Sequence, residues 1–150
     1  MLLLDTNILS EMARRQPSVH VERWLDAQSA KETFVSSVSL MELWYGCLRL
    51  PEGRRRDAVE RFVRHVTRQY GESLLAFGLD EAMRTAEAKI DRVRRGLGWS
   101  TPDLQIAGTA LAGSFILATR NVRDFAGIEG LRVIDPFQAE PVVVDAVDLV

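Results

Sequence analysis

The chain has 150 residues, of which 47% are hydrophobic, and its formal net charge at pH 7 is −2. This length predicts one domain with a sizeable core that needs no disulfides. The single Cys47 excludes an internal disulfide and a cysteine-based zinc site. Because the chain has only two histidines, we expect any metal to be held by oxygen, which favours Mg²⁺ or Mn²⁺. Nothing resembles a signal peptide or a membrane span, so we expect a cytoplasmic protein with no membrane partner.

Arginine dominates the basic residues, since Lys31 and Lys89 are the only lysines. Many of the arginines fall between Arg49 and Arg68. The rigid guanidinium fork suits phosphate groups. On composition alone, however, a solvated helix face is the preferred explanation for this cluster.

Short apolar runs alternate with amphipathic segments along the chain. We predict strands at residues 2–4, 33–35, 74–77, 115–119 and 131–134, and helices at residues 8–15, 19–28, 40–48, 54–70, 82–90 and 104–112. This alternation predicts an α/β domain with a mainly parallel sheet of about five strands. The last residues, 138–150, are apolar and acidic, and their pattern leaves open an edge strand, a covering segment or disorder.

Four carboxylates occupy comparable places in this predicted sheet. Asp5 ends the first strand, and Glu42 lies in the first turn of the helix after the second. Asp103 begins the helix that leads to the fourth strand, and Asp124 lies just past that strand. Because the carboxyl ends of parallel strands and the amino ends of the following helices share one edge, we expect all four acids to converge there.

Each acid also has a structural explanation. Asp5 is a suitable helix cap, Ser39-x-x-Glu42 matches a capping box, Asp103 is favoured by the helix dipole and Asp124 suits a turn. For any one acid alone, the structural explanation is preferred. Four acids on one edge without a nearby lysine or histidine would repel one another unless a cation binds.

The expected cation is Mg²⁺ or Mn²⁺, because Mg²⁺ takes one or two carboxylates and keeps several waters. We expect direct ligation by Asp5 and Asp103, with Glu42 and Asp124 acting through water or at a second metal. Short polar residues that suit the orientation of those waters lie beside the acids: Thr6, Asn7, Thr119 and Asn121.

Four segments carry these acids, in the order Leu3-Leu4-Asp5-Thr6-Asn7, Glu42-Leu43-Trp44-Tyr45-Gly46, Thr101-Pro102-Asp103-Leu104-x-Ile106-Ala107 and Ala118-Thr119-Arg120-Asn121-Val122-Arg123-Asp124-Phe125. The ordered set resembles the PIN-domain ribonuclease toxins of the VapC/FitB type. Val133-Ile134-Asp135-Pro136-Phe137 resembles the closing strand of that family. The resemblance assigns residues 1–137 to a PIN domain and residues 138–150 to a C-terminal tail.

The resemblance implies a PIN-like three-layer α/β/α fold and a Mg²⁺- or Mn²⁺-dependent endoribonuclease. Such a protein would be the toxin of a type II toxin–antitoxin system, inhibited by a cognate antitoxin and acting on RNA. A homodimer is also implied, and DNA would be contacted only indirectly, through the antitoxin. The catalytic residues would be Asp5, Glu42, Asp103 and Asp124, with Asp5 and Asp103 as metal ligands.

Two positions depart from the family pattern. Some relatives carry an acid where this chain has Asn121, so either Asp124 supplies the fourth acid or the site lacks one. The Gly-Arg that often precedes the third acid reads Gly96-Leu97 here, which removes a possible phosphate contact.

Two other functions compete with the nuclease. A catalytically inactive PIN-like module would only bind an antitoxin. A phosphatase with Asp5 as nucleophile is disfavoured, because position 7 is Asn and neither lysine follows a suitable strand.

The segment pair around Trp44, Tyr45, Phe62 and Val66 is either a docking surface or ordinary core.

Overall fold

The computed structural model describes residues 1–150 and contains six strands and six α-helices. The strands are β1 (Leu2–Leu4), β2 (Thr33–Ser36), β3 (Leu74–Leu75), β4 (Ile116–Ala118), β5 (Arg132–Ile134) and β6 (Val143–Asp145). The α-helices are α1 (Thr6–Met12), α2 (Val19–Asp26), α3 (Ser37–Leu48), α4 (Arg54–Gln69), α5 (Leu79–Arg94) and α6 (Thr101–Ala112). Short 3₁₀ helices cover Ala30–Glu32, Gly71–Ser73, Val122–Phe125 and Ala146–Leu149.

All six strands form one sheet in the order β3-β2-β1-β4-β5-β6. Strands β1 to β5 run parallel to one another, and β6 runs antiparallel to its only neighbour, β5. The predicted α/β fold with a mainly parallel sheet is confirmed. The sixth strand lies in the C-terminal segment, where Val143–Asp145 pairs with β5, and the domain boundary drawn at residue 137 stays a prediction.

The sheet separates two apolar cores, as the alternation of side chains along β1 shows. Leu3 packs into one core with residues of α5 and α6. Leu2 and Leu4 pack into the other core with residues of α1, α2 and α4. Since successive strand side chains point to opposite faces, these three leucines hold helices on both faces and produce the three-layer α/β/α arrangement.

The chain order of the strands reverses between β1 and β4, which are direct neighbours. In open α/β sheets, a crevice forms at such a reversal, outside the carboxyl ends of the strands. Asp5 follows β1 directly and Thr119 follows β4 directly.

None of the helices combines the length and the apolar character that crossing a lipid bilayer requires.

Candidate active site

A polar cleft of about 410 Å³ lies where β1 and β4 end. No hydrophobic residue lines this cleft. Its walls are formed by Asp5, Thr6, Asn7, Ser10, Glu11, Arg14, Glu42, Asp103, Arg120 and Asn121. The structure therefore brings three of the four predicted acids, Asp5, Glu42 and Asp103, into one cleft.

Asp5 is the most enclosed of these acids, with 5% of its surface exposed. It caps α1, since its Oδ1 accepts a hydrogen bond of 2.7 Å from the Thr6 amide. Its Oδ2 accepts from Asn7 Nδ2 at 2.6 Å and from the Thr119 hydroxyl at 2.6 Å. Three donor groups at the ends of β1 and β4 thus fix the direction of this carboxylate.

Burial raises the pKa of Asp5 from 3.8 to about 6. The hydrogen bonds from Thr119 and Thr6 lower the pKa, and the negative charges of Asp103 and Glu42 raise it further. A raised pKa means that burial and the two neighbouring acids disfavour the charged form of this carboxyl, which a nearby positive charge would stabilise. The cleft therefore favours a bound cation at Asp5.

Glu42 reaches the cleft from a different helical position than the one predicted. α3 begins at Ser37, and its cap is Ser36, whose hydroxyl oxygen accepts from the Ser39 amide at 2.9 Å. Glu42 is therefore in the second turn, and both its predicted first-turn position and the predicted capping box with Ser39 are wrong. β2 leads into α3 without a loop, so Ser36, the serine that ends the strand, takes the cap. The Thr6 hydroxyl donates to Glu42 Oε2 at 2.5 Å.

Asp103 is the third residue of α6. The cap of this helix is Ser100, and the Asp103 amide donates to the Ser100 hydroxyl oxygen at 3.2 Å. The Ser100 hydroxyl in turn donates to Asp103 Oδ2. Burial raises the pKa of Asp103, and so does the charge of Asp124, against the opposing effects of Ser100 and Arg92.

Asp124 does not line the cleft. It lies in the 3₁₀ helix Val122–Phe125 and lines an adjoining depression with Arg120, Asn121 and Arg123. Asn121 lines both the depression and the cleft, and its amide donates to the Thr119 hydroxyl oxygen at 3.1 Å. The structure thus places Asn121, rather than Asp124, beside the three acids, and the catalytic role of Asp124 stays a prediction.

The family profile described as PIN domain matches residues 2–131. The chain belongs to the PIN-domain family. It is 36% identical to the plasmid stability protein StbB of Pseudomonas syringae pv. tomato, over 93% of this chain and 100% of that protein. It is 32% identical to the VapC ribonuclease Y4jK of Sinorhizobium fredii, over 92% and 99% of the two chains.

Solved structures share the whole PIN-domain fold. The crystal structure of FitAcB from Neisseria gonorrhoeae has a TM-score of 0.82 at 28% identity, covering 92% of this chain and 99% of that one. A toxin–antitoxin complex from Klebsiella pneumoniae has a TM-score of 0.65 at 28% identity, covering 91% and 98%. These likenesses confirm the family that the sequence motifs indicate.

The cleft of this PIN domain has the donor atoms that a hard cation prefers. Asp5, Glu42 and Asp103 provide carboxylate oxygens, and Asn121 provides an amide oxygen, whereas no imidazole or thiolate lines the cleft. No three acidic or histidine side chains stand close enough together to enclose an ion. This open arrangement fits Mg²⁺, which takes one or two carboxylates and retains waters.

Three residues that line the cleft of the PIN domain were not predicted from the sequence: Ser10, Glu11 and Arg14. Glu11 is 6% exposed, and its carboxylate accepts from Arg14 Nη1 at 3.0 Å and from the Ser18 amide at 2.9 Å. Burial acts to raise the pKa of Glu11, but Arg14 and Ser18 outweigh it and lower the pKa. The Glu11 carboxylate is already bound by Arg14 and the Ser18 amide, so it is not available as a metal ligand. The spacing of Asn7 and Glu11, four residues apart on α1, was the available signal.

Proposed function

We propose that this PIN domain is the toxin of a type II toxin–antitoxin system and that it is a Mg²⁺- or Mn²⁺-dependent endoribonuclease hydrolysing RNA phosphodiester bonds. The observation that carries the proposal is the buried Asp5 carboxylate, which faces Glu42 and Asp103 in a cleft with no apolar lining. The similarity to a VapC ribonuclease supports the reaction class. A cytoplasmic location follows from RNA as the substrate.

In this proposal Asp5 and Asp103 hold the divalent cation. When bound, such a cation offsets charge on the phosphate oxygens and acidifies water. Asp5 is positioned for this role before a cation arrives, because hydrogen bonds from Thr6, Asn7 and Thr119 fix both of its oxygens. Preorganised ligands reduce the cost of ordering the site on binding.

Glu42 is the proposed proton acceptor for the attacking water. Its Oε2 is held by the Thr6 hydroxyl, which leaves Oε1 for water. Asp124 acts in the proposal through its charge, which raises the pKa of Asp103 from the adjoining depression. Asn121 takes the place in the cleft opposite Asp5, where it orients water rather than adding charge.

Arginines complete the proposed site for an anionic substrate. Arg14 and Arg120 line the same cleft as the acids. The Arg120 guanidinium lies 4.8 Å from the centre of the Phe137 ring, which holds it by a cation–π contact. Phosphate oxygens on either side of the scissile bond are the proposed partners of these two arginines.

The proposed protein partners are a cognate antitoxin and a second copy of the chain, with DNA contacted only through the antitoxin. The toxin–antitoxin complex from Klebsiella pneumoniae supports the first of these. The second is supported by an exposed apolar face of α3, with Met41, Trp44, Tyr45 and Leu48 between 37% and 60% exposed. Val66, by contrast, is 1% exposed and belongs to the core.

Induced expression in a bacterial host tests the toxin. We expect growth arrest with the wild-type chain, no arrest with Asp5→Asn, and relief when the gene encoded immediately beside it is co-expressed. Sequencing of RNA 5′ ends should show new cut sites only in the arrested culture. Normal growth with well-expressed, folded wild-type protein would contradict the proposal and favour the inactive, antitoxin-binding module.

A further inference from the structure

A second groove adjoins the acidic cleft. It has a volume of about 710 Å³ and lies between the end of α1 and the start of α4. Its charged lining consists of four arginines, Arg14, Arg15, Arg54 and Arg55, which we call the arginine groove. Ser10 and Arg14 line both the cleft and the arginine groove. The two depressions therefore form one continuous surface that changes from acidic to basic.

The charge of the arginine groove is only partly neutralised within the protein, by the pair of Arg14 with Glu11 at 3.0 Å. No acidic residue lines it, and Arg15, Arg54 and Arg55 are exposed and form no ion pair. Elsewhere on the surface arginines do have partners, as in the pair of Arg64 with Glu60 at 2.8 Å. Several like charges around one groove repel one another, and an anion that enters the groove relieves this repulsion.

The position of two of these arginines is electrostatically unfavourable for folding. Arg54 and Arg55 are the first two residues of α4, a helix of 16 residues. The amino end of a helix carries partial positive charge and favours acids rather than bases. The cap is Gly53, at φ +139°, which provides no side-chain acceptor for the free amides. The guanidinium groups of Arg54 and Arg55 and the unpaired backbone amides therefore both contribute positive charge at the start of α4.

We propose that the arginine groove binds the phosphate backbone of single-stranded RNA beside the scissile bond. The strand leaves the acidic cleft across Ser10 and Arg14 and continues toward the start of α4. This inference rests on the proposed function, because it extends the substrate of the same cleft. An RNA strand satisfies both depressions at once, since one phosphate lies at the cation-binding acids while its neighbours meet the guanidinium forks. An acidic peptide would match the groove but would be repelled by Asp5, Glu42 and Asp103.

Binding of fluorescent oligouridylates in Ca²⁺, which takes oxygen ligands as Mg²⁺ does, tests this path, and gel analysis after the measurement should show that the probe is uncut. The test variant is Arg54→Gln with Arg55→Gln. The matched control is Arg94→Gln with Arg132→Gln, because these two arginines are exposed and line neither depression. Probes of about four and about twelve nucleotides separate binding at the cleft from binding along the groove.

We expect the longer probe to bind the test variant about tenfold more weakly, with a salt dependence reduced by about 1.4 in log–log slope. The short probe should bind all three proteins alike, and the control should match the wild type with both probes. Equal binding of the longer probe by test variant and wild type would overturn the proposal. So would an equal loss in the control, or tight binding of a polyglutamate probe to the groove with no binding of RNA.

Cleavage assays with Mg²⁺ or Mn²⁺ separate this inference from the proposed function. If the wild type binds the longer probe through Arg54 and Arg55 but never cuts RNA, the groove is supported and the nuclease proposal fails. If the wild type cuts RNA and the test variant cuts and binds equally well, the nuclease stands and the groove is refuted.

Discussion

The Thr119 hydroxyl donates a hydrogen bond of 2.6 Å to Oδ2 of Asp5, and this contact joins the ends of two neighbouring parallel strands. The same hydroxyl oxygen accepts from Asn7 Nδ2 at 3.0 Å and from the Asn121 amide at 3.1 Å. Thr119 is completely buried. One side chain therefore orders the proposed metal ligand and the two asparagines next to it.

Replacing Thr119 with valine should weaken the fold and shift the activity toward higher pH. The variant removes the acceptor of the Asn121 backbone amide and one of the two acceptors of Asn7 Nδ2, and we expect a loss of about 2 kcal/mol in the free energy of unfolding. Because the Thr119 hydrogen bond lowers the pKa of Asp5, its loss raises that pKa, and the acidic limb of the pH–rate profile should move upward. Urea unfolding and RNA cleavage across pH measure both effects.

The matched control for this prediction is Thr109→Val. Thr109 is also buried, but its hydroxyl donates to the Gln105 carbonyl within α6 and contacts no cleft residue. The acidic limb should therefore stay in place in that variant, and Thr119→Ser should behave like the wild type. An unmoved acidic limb in Thr119→Val would show that this hydroxyl does not set the titration of the site.

Asp5 should make the metal-free protein less stable as pH rises. Its pKa is about 6 in the folded chain against an ordinary 3.8, so the folded state binds the proton more tightly than the unfolded state. The contribution of this shift to the free energy of unfolding is fully present below a pH of about 4. It is lost as the pH rises through about 6, and the total loss is about 3 kcal/mol.

Urea unfolding in EDTA from pH 4 to about pH 7 measures this loss against Asp5→Asn, whose side chain does not ionise. We expect the free energy of unfolding of the wild type to fall relative to the variant over this range, and Mg²⁺ to restore it mainly at the upper end. Asp26→Asn, at an exposed position, should follow the wild type. Parallel curves for the wild type and Asp5→Asn would contradict the raised pKa.

The sequence predicted the strands that carry the site better than it predicted the helix caps and the residues that line the cleft. The run Leu2-Leu3-Leu4 followed by Asp5 indicated a buried strand that ends in a carboxylate, because strand burial and helix capping are local properties. The cap of α3 was misplaced because Ser36, Ser37 and Ser39 are equivalent in type, and only the end of β2 decides among them. The pairing of β6 with β5 depends on backbone contacts between residues that no sequence period connects.

The choice between Asn121 and Asp124 was beyond the sequence for a related reason. Both follow β4 within a few residues, and the turn of the 3₁₀ helix Val122–Phe125 decides which of them lines the cleft. The same limit applies to Arg92, whose spacing matches a solvated helix face although the side chain is 5% exposed. Burial of that kind is set by packing between distant segments.

The placement of Asn121 in the cleft predicts effects of different size on Mn²⁺ affinity for two single substitutions. Asn121→Asp adds a carboxylate beside Asp5 and Asp103, so we expect tighter binding of Mn²⁺ by about tenfold or more. Asp124→Asn removes a carboxylate that lies outside the cleft, so Mn²⁺ affinity should change only a few-fold. Titration calorimetry with Mn²⁺ measures both. A larger loss in Asp124→Asn than in Asp103→Asn would show that Asp124 is a direct ligand.

Arg92 should be a large contributor to stability. Its guanidinium donates to three backbone carbonyls, those of Gly98, Arg123 at 3.2 Å and Ala126 at 2.7 Å. These bonds join the segment before α6 to the 3₁₀ helix that carries Asp124. Arg92→Met leaves the carbonyls without donors, and we expect a loss of about 3 kcal/mol or more in the free energy of unfolding.

The exposed neighbour Arg94 provides the comparison for Arg92. Its side chain makes no ion pair within the chain, so Arg94→Met should change the free energy of unfolding by less than about 0.5 kcal/mol. Thermal and urea unfolding of both variants give the difference. Similar small losses in the two variants would mean that the carbonyl contacts of Arg92 contribute little.

RNA cleavage by purified protein, with Mg²⁺ or Mn²⁺ and with EDTA, tests the central claim most directly. The account predicts cleavage by the wild type only when a divalent cation is present, and a loss of at least about a hundredfold in Asp5→Asn. Asp26→Asn should keep full activity, and circular dichroism should show that both variants are folded. Cleavage that persists in excess EDTA, or full activity of folded Asp5→Asn, would contradict the account.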